Sequence, residues 1–348
     1  MSIELGVLEG DGIGPEIVSS AVRVVSAADV DVRFVDLPVG WAAYEAHGTT
    51  VPDATIDRVR ELDGWLLGPI VSGTYPDDDP AGGNPSRVFR TTFDLYSNLR
   101  PIRSYDGIGP EGVDLALFRQ NTEGFLADRN MHAGVGQFMP TEDVAMSTRV
   151  VTRRECRRIA EAAFEYADAN GMDVTAVHKG NVLADAARLF LEEVEAVAAG
   201  YPDVDVETSL IDAFAMELAL APADHEVIVT TNLFGDILSD EAAGVVGSLG
   251  LAPGLNHNDD DGYAMAQATH GAAPDIAGEG VANPASMILS ASLLLEWLGK
   301  RGAADAGEAA DAVTDAVTRT IHDGVRTPDI GGDATTESFT DAVVDRIE

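Results

Sequence analysis

The chain has 348 residues, 45% of them apolar, enough for one large or two moderate domains and too many for a disordered polymer. It carries 59 acidic against 22 basic residues, a formal net charge of −37, which excludes a surface built for nucleic acid or an anionic membrane. A single cysteine, Cys156, excludes an intrachain disulfide and fits a reducing cytoplasm.

In chain order, an apolar strand over 3–8 leads through a Gly-rich turn into a helix over 16–27, and a second strand follows over 30–37. Further strands are expected at 64–70, 113–119, 173–179, 205–212 and 226–232. Helices are expected at 153–170, 185–199 and 284–298. This interleaving points to an α/β architecture with parallel sheet. The polar, Gly-containing stretch 129–144 breaks the order and reads as an excursion from the globule. The longest apolar run, 287–295, falls short of the roughly 18 residues of a membrane span. The opening residues show no basic stretch or cleavage site, so no targeting peptide is expected.

The turn "GDGIGPE" (10–16) invites a dinucleotide-binding reading, and Asp36 ends the second strand where a ribose-binding acid belongs. However, Pro15 stands where the fingerprint needs its third glycine. The motif by itself reads as a tight strand-to-helix turn.

Three other features carry chemistry. Asp236 and Asp240, four apart at the start of a helical stretch, share one face and offer oxygen ligands suited to Mg²⁺ or Mn²⁺; the bland reading is an acidic solvent face. Arg90, Arg100 and Arg119 lie near expected strand ends, where guanidinium groups grip carboxylates; each could instead be a surface ion pair. Only two lysines occur, Lys179 and Lys300, and Lys179 ends an apolar strand. A lysine retained there offers a proton exchange that arginine cannot perform, unless it survives by chance. Asp212, ending the next expected strand, is its candidate partner or a further metal ligand.

The acids are spread along the chain, and "DDDP" (77–80) and "NDDDGY" (258–263) lack EF-hand spacing, which argues against a calcium buffer. Salt at 1 M shrinks the Debye length to roughly 3 Å. The expectation is therefore a halophilic cytoplasm.

Together these segments resemble the β-decarboxylating dehydrogenases, the family of isocitrate and isopropylmalate dehydrogenases. The likeness runs in order through "GDGIGPE", "FDLYSNLRP", "RQNTEG", "HKGNVL", "IDAFAM", "TTNLFGDILSDEAA", "HGAAPDIAGEGVANP" and "TPDIGG". It implies a two-domain α/β subunit that is not a Rossmann fold. Residues 1–95 and 249–348 would form the cofactor-side domain, and 96–248 the middle domain for dimerisation, metal and substrate. The 129–144 excursion would be an intersubunit arm, and the assembly a homodimer or higher homo-oligomer. The resemblance further implies that Arg90, Arg100 and Arg119 hold substrate carboxylates. Asp236 and Asp240, with Asp212 of the other subunit, would hold Mg²⁺ or Mn²⁺. Lys179, also from the other subunit, would deprotonate the 2-hydroxyl. His270, Gly271, Ala273, Asp275, Ile276 and Asn283 would wrap the adenosine half of NAD, Asp275 and Ile276 standing where NADP enzymes read the 2′-phosphate with lysine and tyrosine.

The chain departs from the family pattern at three places. Leu126 replaces the tyrosine that protonates the enolate. Polar Asn84 and Ser86 occupy the pocket positions that isopropylmalate enzymes fill with bulky apolar residues. "AQATHG" replaces the acidic "EPxHG" before the cofactor loop. The expected activity is NAD- and Mg²⁺- or Mn²⁺-dependent oxidative decarboxylation of a 3-substituted malate. The competing expectation is a non-catalytic regulatory subunit of a hetero-oligomer, which loss of the tyrosine favours and retention of the arginines, Lys179 and the aspartates opposes.

Overall fold

A computed structural model describes residues 2–71, 73–76, 78–81, 83–125 and 136–347. The chain begins with β1 (Ile3–Leu8), α1 (Gly14–Ala27), β2 (Val32–Asp36), α2 (Gly40–His47), α3 (Asp53–Val59), β3 (Gly64–Leu67) and α4 (Pro85–Thr92). Its middle holds β4 (Ser97–Arg103), β5 (Asp114–Gln120), the hairpin β6 (Gln137–Thr141) and β7 (Val144–Ser147), then α5 (Arg153–Asn170) and β8 (Val174–His178). There follow α6 (Ala184–Ala198), β9 (Val206–Leu210), α7 (Ile211–Leu220), β10 (Val227–Thr230) and α8 (Asn232–Val246). The chain closes with β11 (Leu255–Asn258), β12 (Tyr263–Ala266), α9 (Ala285–Lys300), α10 (Ala304–His322) and α11 (Thr336–Val344). This is an α/β fold.

Two compact units emerge. The first comprises 1–93, 105–109 and 247–348; the second comprises 94–104 and 110–246. In the first, the strand order is β2-β1-β3-β12-β11, parallel except for the β11–β12 pair. In the second it is β4-β5-β10-β8-β9, parallel except for β4–β5. The α/β architecture with parallel sheet is as expected, and the two antiparallel pairs make the sheet mixed. The two antiparallel pairs have short connections, and strand periodicity carries no information about direction.

Helices cover both faces of β5 and β10 in the second unit, which explains their unbroken apolar runs. On β10, Val227 and Val229 pack with Phe118, Phe164 and Phe190 on one face, whereas Ile228 packs with Leu117, Phe214 and Leu238 on the other. The core of the first unit gathers Leu5, Ile17, Leu66, Ile288 and Leu294. Among the described residues no helix is long and apolar enough to cross a membrane.

Of the expected excursion at 129–144, residues 129–135 lie outside the described residues. The rest opens the β6–β7 hairpin, whose Phe138, Met139, Val144 and Met146 are all exposed. Cys156 is buried in the second unit, and burial pushes its thiol pKa up to about 12, too high for a reactive thiolate at neutral pH.

Candidate active site

The second unit gathers two of the three arginines with both helical aspartates. In the antiparallel register of β4 and β5, Asn98 stands opposite Arg119. Strand side chains alternate, so Asn98, Arg100 and Arg119 share one face, the one that also presents Leu117 and Ile102 to α8. On α8, Asn232, Asp236, Ser239 and Asp240 follow the i, i+4, i+7, i+8 pattern and form a single stripe. The two patterns meet. Arg119 donates to Asn232 Oδ1 through Nε at 3.0 Å and Nη2 at 2.7 Å, and pairs closely with Asp236. Arg100 donates to Asn98 Oδ1 at 2.6 Å and Ser239 Oγ at 2.5 Å, with Asp236 and Asp240 at 3.6 and 3.5 Å.

Gly235 permits this approach. A Cβ there would lie 2.8 Å from both Cβ and Cγ of Arg119, so only glycine lets α8 lie this low on the strand.

Both guanidinium groups are buried, with Arg100 5% and Arg119 4% exposed, while the two aspartates stay about half exposed. Burial lowers the Arg100 pKa, yet arginine remains charged, so its buried cation requires these acceptors. Burial also raises the Asp240 pKa; Arg100 pulls it down and Asp236 adds a like-charge push upward. Both carboxylates keep about half of their side-chain surface exposed, open to a cation. The donor set is all oxygen, the kind hard cations such as Mg²⁺ and Mn²⁺ take. Among the described residues, no three carboxylate, histidine or cysteine side chains converge as a metal group.

Lys179 follows β8 in the same unit and donates through Nζ to Asp212 Oδ1 at 2.5 Å. Asp212 was expected to end a strand, but β9 stops at Leu210 and Asp212 lies in the first turn of α7. The segment "IDAFAMELAL" is helix-forming, and an acid in a first turn suits the helix dipole. Its hydrogen bond from Lys179 lowers the Asp212 pKa. Neighbouring His178 accepts from Gly180 N–H at Nδ1 and is lowered by burial, so it stays neutral.

The other candidates belong to the first unit. Arg90 lies on α4 rather than at a strand end, in the helix's last turn. Asn84 caps that helix, its Oδ1 accepting from Arg87 N–H at 3.0 Å. Ser86 and Arg90 both bond to Gln267, the buried residue that stands where the family pattern has the acid of "EPxHG".

The Gly-rich turn supports the 270–283 loop. Ile13 N–H donates to Ala272 O at 2.9 Å, a Cβ on Gly12 would fall 2.0 Å from that oxygen, and Gly278 N–H donates to Glu16 Oε1 at 2.5 Å. Ala273 holds a left-handed φ of 39°, and Gly271, Ala273 and Asp275 are exposed, with Ile276 half-buried. Asn283 bonds Asp329 and accepts from Ala285 N–H at the start of α9. His270 bonds Gly271 O through Nδ1, but its Nε2 is buried without a partner, an orphaned group that a bound ligand can satisfy. Leu126 lies outside the described residues.

Sequence comparison matches residues 4–343 to the family model described as isocitrate/isopropylmalate dehydrogenase. The chain is 41% identical to an isocitrate/homoisocitrate dehydrogenase of Thermus thermophilus, covering 100% of this chain and 99% of the relative. It is 38% identical to a 3-isopropylmalate dehydrogenase of Methanothermobacter thermautotrophicus, covering 95% and 94%. The crystal structure of isocitrate dehydrogenase from Methylococcus capsulatus superimposes with a TM-score of 0.88 at 38% identity, covering 99% of both chains. The order of motifs, the α/β fold and these likenesses agree: the chain belongs to the isocitrate/isopropylmalate dehydrogenase family of oxidoreductases.

Proposed function

We propose that this chain is a NAD-dependent, Mg²⁺- or Mn²⁺-dependent dehydrogenase that oxidatively decarboxylates a 3-substituted malate. The observation that carries the reading is the cluster of Arg100 and Arg119 with Asp236 and Asp240. Two buried cations and two half-exposed anions sum to zero charge. A dicarboxylate and a divalent cation would together leave that balance unchanged, Arg100 and Arg119 meeting the carboxylates and Asp236 and Asp240 holding the cation.

In this reading Arg90, Arg100 and Arg119 bind and orient the substrate carboxylates, with Asn98, Asn232 and Ser239 fixing the latter two guanidinium planes. Asp236 and Asp240, with Asp212 of a second copy, hold the cation, which when bound polarises the 2-hydroxyl and the developing carbonyl oxygen. Lys179 of that second copy takes the hydroxyl proton as the C2 hydrogen leaves as hydride. Loss of CO₂ from the carboxylate on C3 then leaves an enolate that needs a proton at that carbon. Leu126 cannot donate one, so another group or a water serves.

NAD is the hydride acceptor in this proposal. The 270–283 loop offers the unpartnered His270 Nε2, and exposed Asp275 accepts from a ribose diol and repels a 2′-phosphate.

A homodimer completes the site. Met216 and Leu220 on α7 and Leu233 and Ile237 on α8 are large, apolar and exposed, as are the hairpin residues, and these faces suit a second copy. The protein would work in a cytoplasm of multimolar salt. The relatives are described as dehydrogenases and give no support to a non-catalytic subunit.

Metal removal tests the proposal. Enzyme stripped with EDTA should lose turnover and regain it with Mg²⁺ or Mn²⁺, and Asp236→Asn with Asp240→Asn should abolish the rescue while the circular dichroism persists. Because the Asp240 pKa is raised, the folded carboxyl keeps its proton to higher pH than the unfolded one; apparent metal affinity should therefore weaken as pH falls through that range. Full activity after EDTA would overturn the assignment.

A further inference from the structure

Gln267, the residue after β12, is buried, and its amide touches two of the candidate substrate contacts at once. Its Oε1 accepts from Arg90 Nη2 at 3.2 Å, and its Nε2 donates to Ser86 Oγ at 2.8 Å. Chemistry fixes which way the amide faces. A guanidinium has only donors, so the amide oxygen must meet Arg90, which leaves the NH₂ for Ser86. Ser86 Oγ is thereby an acceptor toward Gln267, and its own O–H must donate elsewhere. Among the described residues nothing accepts it. Ser86 and Arg90 are four apart on α4, so they share one helix face.

We propose that Gln267 is a positioning residue: by donating to Ser86 it holds that hydroxyl as a donor to the ligand, so that the Ser86–Arg90 subsite selects a 3-substituent ending in a carboxylate over an alkyl one. This rests on the reading that Ser86 and Arg90 meet the substrate. A glutamate at 267 reverses the logic, since a carboxylate only accepts. It would turn the Ser86 O–H inward and pair with Arg90. The first effect penalises only substrates whose substituent needs a donor; the second weakens all substrates alike. The ratio of kcat/KM between two substrates therefore isolates Ser86.

The test uses the full-length enzyme with NAD⁺ and Mn²⁺ in molar salt, with isocitrate and 3-isopropylmalate as substrates. Gln267→Glu should lower the isocitrate-to-isopropylmalate ratio about tenfold, the size of one lost hydrogen bond to a charged group, and chiefly through KM. Ser86→Ala should do the same, and the double variant should match either single within about twofold. Gln267→Met keeps the volume without either hydrogen bond; it should also lower the ratio, and it carries the test if the glutamate variant does not fold. A ratio unmoved in both Gln267 variants, or additive effects with Ser86→Ala, overturns the proposal while leaving the dehydrogenase reading intact. Wild-type enzyme that oxidises neither substrate overturns both.

Discussion

Lys179 is one of two lysines in a chain with twenty arginines, and its ammonium meets Asp212 at 2.5 Å. Replacing it separates charge from proton chemistry. Lys179→Arg preserves the cation and the ion pair but offers no usable base at neutral pH. It should fold normally, and hydride transfer followed by stopped-flow absorbance should fall about 10²–10⁴-fold, the usual worth of a general base. A near-wild-type rate would make Lys179 a structural residue. The candidate site was legible at this scale wherever a residue type was itself the signal: a lysine kept among arginines, or two aspartates four apart. Asn98, Asn232 and Ser239 escaped notice, and Gln267 showed only as a lost acid, because ordinary polar residues acquire meaning only from what they touch.

At the scale of elements, α8 carries the argument. Its polar stripe can be read from spacing alone, but its target cannot, since that requires the register of β4 against β5. The direction of that pair was likewise hidden, because an antiparallel and a parallel buried strand have the same apolar pattern. Two glycines on α8 make a matched experiment. Gly235→Ala gains about 1 kcal/mol of helix propensity yet drives a methyl against the Cβ of Arg119, which sits on a strand and cannot yield like a flexible tip. Gly244 has nothing within 4 Å of its would-be Cβ, so Gly244→Ala keeps the propensity gain. The first variant should lower Tm and weaken metal binding, and the second should raise Tm slightly with metal affinity unchanged. Equal effects of the two on Tm would show that α8 does not owe its seat on Arg119 to Gly235.

For the whole molecule, a net charge of −37 makes the salt dependence of stability the test of the proposed halophilic reading. At 0.1 M salt the Debye length is about 10 Å and surface acids repel across several neighbours; at molar salt it is about 3 Å and the repulsion is confined. Tm should climb steeply between 0.1 M and 2 M KCl, and a flat profile would remove the halophilic reading. Composition made this expectation available before any element was placed.

The central claim is catalytic, and NADH formation tests it most directly. Purified protein in molar KCl with Mn²⁺ should reduce NAD⁺ in the presence of isocitrate, homoisocitrate or 3-isopropylmalate, and should do so faster than it reduces NADP⁺. No reduction of either cofactor with any of the three would contradict the account and leave the chain without the activity its site is proposed to perform.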